Sequence, residues 1–137
     1  MKQIKTFVVP SRLGPMYGAA GPDGLLALVI PQKGEKEFKA RLEKRAPGAA
    51  WVQVEPEELP AGRQLLEYLR GKRKKFTVRP DLSGLPPFHQ LALSAVKDIP
   101  YAQTSTYGQI AALVGRPKAS RAVGQANGAN PLPLFIP

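Results

Sequence analysis

The chain has 137 residues, with 20 Lys and Arg against 10 Asp and Glu, a net charge of +10, 43% hydrophobic residues, 15 Pro, 13 Gly and no Cys. That length allows one domain or two small ones, and the apolar content argues against disorder, while the absence of Cys excludes disulfides, thiolate metal sites and cysteine nucleophiles within these residues. No apolar run approaches the ~18 to 20 residues of a membrane span, and Met1 to Pro10 lacks the pattern of a signal peptide; a soluble cytoplasmic or nucleoid-associated protein is the simplest expectation, with nucleic acid the first partner for so basic a body and anionic membrane the second.

Taken in order, the apolar runs Ile4 to Val9 and Leu25 to Ile30 are separated by Ser11, Gly14, Pro15 and the turn Gly21-Pro22-Asp23-Gly24. This predicts antiparallel strands joined by hairpins. Between Gly34 and Arg45 charges alternate around Phe38 and Leu42 at helical spacing, and Trp51 to Val54 reads as another short strand. A second helix is predicted after Pro60, with Leu65, Leu66, Tyr68 and Leu69 as its buried face. Strands first, with helices covering one face, make an α+β domain over residues 1–78. The run Arg70-Gly71-Lys72-Arg73-Lys74-Lys75 is the densest positive block, read first as a solvated charged loop and second as a phosphate contact. Residues 79–86, rich in Pro and without periodicity, are expected to link this domain to a second.

The second part, 87–137, holds 4 basic residues and 1 acidic. Phe88, Leu91, Ala92, Ala95 and Val96 recur at helical spacing, and Ile99-Pro100 is expected to end that helix. Thr106 is placed to cap a second helix, which Gly115 closes. After Arg116-Pro117 a third helix is predicted from about Lys118 through Ala126, built on Ala119, Ala122, Val123 and Ala126 with Arg121 projecting. Two short helices across a tight turn outline a helix-turn-helix, or else a plain helical hairpin. A major-groove recognition helix carries long polar side chains, whereas this one is mostly small, with Ala119, Ser120, Ala122, Gly124 and Ala126 around a single long cation. Such a face suits either tight packing on a neighbour or entry into the narrow minor groove, where readout is nearly independent of sequence.

The strings Ile99-Pro100-Tyr101, Thr104, Thr106-Tyr107-Gly108-Gln109-Ile110-Ala111, Gly115-Arg116-Pro117-Lys118-Ala119, Arg121-Ala122-Val123-Gly124 and Asn130-Pro131-Leu132-Pro133 with Ile136-Pro137 resemble the DNA-binding domain of the O6-alkylguanine-DNA alkyltransferases. More loosely, Ser11 to Pro15, Gly24-Leu25 and Leu69 to Arg73 sit where that family's N-terminal domain has similar elements. The resemblance implies an N-terminal ribonuclease H-like α/β domain with antiparallel strands, then a helical, winged-helix-like domain with a helix-turn-helix. It also implies DNA repair by a flipped-base mechanism: minor-groove binding of duplex DNA containing O6-alkylguanine, extrusion of the base, and irreversible transfer of the alkyl group to cysteine. On this basis Arg121 matches the arginine finger that fills the vacated stack, Tyr107 the tyrosine at the flipped nucleotide's phosphate, and Ser120, Ala122 and Gly124 the groove-lining positions. Asn130 matches the asparagine holding the turn before the reactive site, and Pro133 a proline of the alkyl pocket. A monomer is implied, with no cofactor needed for transfer, no metal ligands and no membrane; of a structural metal the resemblance says nothing.

Three departures stand out. Leu93 occupies the position of a family Trp, His89 that of a Gln, and the family's Cys-His-Arg would begin directly after Pro137, where this sequence ends. His89, the one histidine, reads as structural or solvent-exposed, with no acid or nucleophile near it in sequence. No catalytic nucleophile is therefore among the residues given. One expectation is the N-terminal stretch of a complete alkyltransferase, its cysteine directly after Pro137; the other is an alkyltransferase-like protein that binds lesions without transfer. The long N-terminal part favours the first. An apolar Leu132 to Pro137 tail, exposed if nothing followed it, points the same way. A general helix-turn-helix protein explains the charge and the two helices, but not the small-residue face.

Overall fold

The computed structural model describes residues 3–98, 105–128 and 130–136. The predicted helix stop at Ile99-Pro100, and Tyr101, Thr104 and Pro137 of the motif, lie outside them. The chain forms two compact units, Met1–Asp81 and Leu82–Pro137.

The first unit is a mixed four-stranded sheet in the order β3-β2-β1-β4, made of β1 (Gln3–Ser11), β2 (Gly14–Gly21), β3 (Gly24–Val29) and β4 (Ala50–Gln53). The antiparallel hairpins match expectation, but β4 pairs parallel to β1, with Ile4 opposite Trp51. Strand β2, GPMYGAAG, has too little β-branched character to announce itself. Its reason is tertiary. Phe7 faces Gly18 across the β1–β2 pair, and the Phe7 ring lies where a Gly18 side chain would be.

Two helices pack on this sheet. Helix α1 (Gly34–Arg45) rests on β2 and β3 and buries Phe38 and Leu42 in a cluster with Ile4, Ala19, Leu26, Ala27 and Val29. Its exposed side carries the i,i+4 pairs Glu35–Lys39 and Glu37–Arg41, both at 3.0 Å. Helix α2 (Pro60–Leu69) packs on β1 and on the single 3-10 turn Pro56–Glu58. Ile4 and Phe7 lie on opposite sides of the pleat, yet both are fully buried, so β1 is covered on both faces rather than one. In α2 Leu65 is buried and Leu66 and Tyr68 half-buried; Leu69, expected in the core, is 40% exposed because it falls outside the arc that faces β1.

Residues beyond α2 stay attached to this unit. Pro80 forms a parallel bridge with Leu25, through Leu25 N to Arg79 O (2.9 Å) and Asp81 N to Leu25 O (2.8 Å). The Arg45 guanidinium, at the end of α1, donates to Leu26 O and Asp81 O, each at 2.7 Å. Burial lowers its pKa, against the opposing pull of Asp81. One arginine thus ties helix, sheet and exit segment together.

The second unit holds α3 (Pro87–Lys97), α4 (Tyr107–Leu113) and α5 (Ser120–Gly128). Ala92, Leu93 and Val96 form the buried face of α3. Leu93 is core, while Leu91, predicted on that face, is 50% exposed. Val123 and Ala126 of α5, Ile110 and Ala111 of α4, and Leu132, Phe135 and Ile136 complete the core. The apolar C-terminal stretch is therefore not an exposed tail: these three residues are buried.

Candidate nucleic-acid interface

Local chemistry sets both ends of α4. Thr106 Oγ1 accepts from Gln109 N (3.0 Å) while Gln109 Oε1 accepts from Thr106 N (2.8 Å), a reciprocal capping box at the predicted N-cap. At the other end Gly115 takes φ +78°, its N donating to Ala112 O (3.0 Å) and Arg116 N donating to Ala111 O (2.8 Å). This is a Schellman motif, which a Gly at C′ makes inexpensive. The turn that follows is held to α3 by the Arg116 guanidinium, 5.7 Å from the centre of the Phe88 ring. No sequence signal marks that contact, because the two residues meet only through the fold.

Helix α5 begins at Ser120, two residues later than predicted, since Pro117 and Lys118 belong to the turn. Its buried face is Val123 and Ala126. On the rest, Ser120, Arg121 and Gln125 are exposed and Ala122 and Gly124 half-buried. Arg121 is the one cation on α5, and Arg116, Lys118 and Arg121 gather at the turn and the first helical turn. Asp98 is the sole acidic residue of this part of the chain, so the potential here is positive.

The fold brings Tyr107 to Gly124. A Cβ at Gly124 would meet Tyr107 Cε2 at 3.0 Å and Cδ2 at 3.2 Å, so the ring, 50% exposed, leans on the bare backbone of α5. Asn130 and Pro133 belong to a separate feature, the loop that ends the chain. Asn130 Oδ1 accepts from Leu132 N (2.8 Å) and its Nδ2 donates to Ile136 O (2.6 Å), while Ile136 N donates to Leu132 O (2.9 Å). Leu134 in this loop has φ 75°, a left-handed conformation costing a leucine ~1 to 2 kcal/mol. The Asn130 bonds and the burial of Phe135 and Ile136 hold it there. Pro133 is half-buried, as is His89 on α3.

Among the described residues no group of three or more His, Cys, Asp or Glu is placed to hold a metal, and no helix is long and apolar enough to cross a membrane. The arrangement offers a narrow, positively charged helical face with one long planar cation and an adjacent phenol, and the 137 residues supply no thiol.

Residues 87–137 match the family described as 6-O-methylguanine DNA methyltransferase, DNA binding domain. Over 130 residues the chain is 38% identical to a methylated-DNA–protein-cysteine methyltransferase of Methanosarcina acetivorans, covering 95% of this chain and 78% of that protein. It is 37% identical to the constitutive methylated-DNA–protein-cysteine methyltransferase of Bacillus subtilis, covering 91% and 72%. Among solved structures, Mycobacterium tuberculosis O6-methylguanine methyltransferase superposes with a TM-score of 0.77 at 30% identity, covering 98% of this chain and 75% of that one. M. tuberculosis OGT in complex with DNA superposes with a TM-score of 0.75 at 30% identity, covering 97% and 74%.

Proposed function

The chain belongs to the methylated-DNA–protein-cysteine methyltransferase family, and from that premise we propose that α5 enters the minor groove of duplex DNA and holds an O6-alkylated guanine outside the stack. The family's activity is DNA repair by alkyl transfer: the bond between the alkyl carbon and guanine O6 breaks as a bond to a cysteine sulfur forms. No cofactor takes part, because the group passes directly from oxygen to sulfur. The 137 residues contain no Cys, so the work assigned to them is binding, extrusion and placement of the base.

What supports the reading is the face of α5. Ser120, Ala122 and Gly124 let the helix backbone approach a narrow groove, and Arg121 is the side chain long enough to reach into the stack. Its planar guanidinium can both stack and pair with the orphaned base. Tyr107, leaning on Gly124, stands against the phosphate of the extruded nucleotide. Asn130 fixes the loop that carries Pro133 to the wall of the alkyl pocket. A general helix-turn-helix protein would have no use for so small a face. We infer that the protein acts as a monomer on duplex DNA containing O6-alkylguanine, in the cytoplasm.

The test is binding to two duplexes identical except for one O6-methylguanine, followed by fluorescence anisotropy. An altered base lowers the cost of unpairing, so a preference of about tenfold, ~1.4 kcal/mol, is expected. Equal affinity for the two would overturn the proposal.

Gly124→Ala tests the groove-facing contact. Alanine adds ~0.5 to 1 kcal/mol of helix stability, but its Cβ needs the room that Tyr107 occupies. Because that ring is half-exposed it can turn aside. Thermal unfolding is expected at or above the parent temperature, with affinity for either duplex reduced several-fold. Unchanged affinity would remove Tyr107 and Gly124 from the interface.

A further inference from the structure

The run Arg70 to Lys75 plays no part in the function proposed above, and its structure is not that of a slack surface loop. Its start is closed onto α2 by Arg70 N to Leu66 O, Gly71 N to Tyr68 O and Lys72 N to Glu67 O, at 3.1, 3.1 and 2.9 Å. Its far end is held by a two-way pairing of Gln64 and Thr77, with Gln64 Nε2 donating to Thr77 Oγ1 (2.6 Å) and Thr77 N donating to Gln64 Oε1 (2.9 Å). The Tyr68 and Phe76 rings meet at 5.1 Å beneath it. Inside the loop Arg73 spends its guanidinium on the loop's own frame, reaching Glu67 Oε1 (3.3 Å) and Lys75 O (2.9 Å). Gly71 turns the chain at φ +72° with open space beside it.

The result is an ordered frame from which Arg70, Lys72, Lys74 and Lys75 are exposed. Glu67, an acid in contact with the loop, is engaged by Arg73. Helix α1 makes the contrast: its exposed cations are interleaved with Glu35, Glu37 and Glu43, and two are paired with them at i,i+4. Interleaved charge cancels at a distance, whereas a block of one sign on a fixed backbone attracts a polyanion and loses little entropy in doing so.

We propose that the loop Arg70–Lys75 of the first unit is a second DNA contact, gripping backbone phosphates without regard to sequence or lesion. This rests on the reading that the chain acts on duplex DNA, and it assigns to the first unit a share in holding the duplex.

The experiment compares the full chain with a Lys72→Gln, Lys74→Gln, Lys75→Gln variant, and with a Lys36→Gln, Lys39→Gln, Lys44→Gln variant in α1 that loses the same charge. Affinity is measured across a salt series for duplexes with and without O6-methylguanine. Each phosphate contact contributes about 0.9 to the slope of log affinity on log salt, so the loop variant is expected to lose about two to three from that slope, on both duplexes alike, and the α1 variant less than one. Affinity of the loop variant at low salt falls about tenfold or more, while the ratio between the two duplexes stays that of the parent. Equal slopes for the loop and α1 variants would overturn the proposal, as would a loop variant that loses binding to phosphatidylserine vesicles with its DNA slope intact. A parent chain that binds both duplexes equally counts against the repair reading alone, since the slope comparison still reports on the loop.

Discussion

Replacing Arg121 with alanine is expected to abolish most of the roughly tenfold preference for an O6-alkylguanine duplex, a loss of about 1.4 kcal/mol, while weakening binding to undamaged duplex by less than about tenfold. Extruding a base costs a few kcal/mol, and a guanidinium in the vacated space returns part of that by stacking and hydrogen bonding, where a methyl group returns nothing. The core stays intact, because Arg121 is exposed and the buried face of α5 is Val123 and Ala126. A loss of affinity therefore cannot be a loss of folding. Arg121→Lys separates the two roles an exposed arginine can play. If Arg121 only neutralises a phosphate, lysine restores the parent preference; if its plane fills the stack, Arg121→Lys behaves like Arg121→Ala on the lesion and like the parent on undamaged DNA.

The second large effect lies in the first unit. Gly18→Ala places a Cβ 2.2 Å from Phe7 Cζ, with Cε2 and Cε1 at 2.6 and 2.7 Å. Phe7 is fully buried and cannot swing into solvent. Overpacking of this kind costs ~1 to 3 kcal/mol and occasionally more, against a gain of at most ~1 kcal/mol from replacing a strand glycine. A net loss of ~2 kcal/mol corresponds to a fall of roughly 10 °C in the unfolding temperature of a unit of this size. Calorimetry checks it, and the double variant Phe7→Leu, Gly18→Ala should recover part of the loss, because the two side chains compete for one space. An unfolding temperature within a degree or two of the parent would show that Phe7 does not need the vacancy.

Those two residues also show what the amino-acid order conveyed. Helix α1 was legible to its ends, because Phe38 and Leu42 mark its buried side and Glu35–Lys39 and Glu37–Arg41 its exposed one. The cap at Thr106 and the stop at Gly115 were legible for the same reason: each is settled by residues within one turn. Strand β2 was not, since Gly18 and Ala19 say little until Phe7 is laid across them. The direction of β4 was not either, because four residues carry no record of which neighbour they join. Leu69 and Leu91 kept the period of a buried face without lying on it; apolar residues are common on surfaces, and periodicity alone cannot tell the edge of a stripe from its centre. At the candidate site the residue types were visible in the motif, but the lean of Tyr107 on Gly124 and the two bonds by which Asn130 closes the last loop needed the fold.

The hold of Arg45 on Asp81 determines where this protein can be divided. A fragment ending before Arg79 would strip Leu25 of both its backbone partners in the Arg79–Asp81 segment and remove the Asp81 carbonyl to which the Arg45 guanidinium donates. Each buried polar group abandoned in this way costs ~1 to 3 kcal/mol, a large part of what a unit of some 80 residues has to spare. A fragment carried through Leu82 keeps all of these bonds, and Ser83 to Pro87, mostly exposed, offers the seam at which a protease or a cloning primer can part the two halves at least harm to the first.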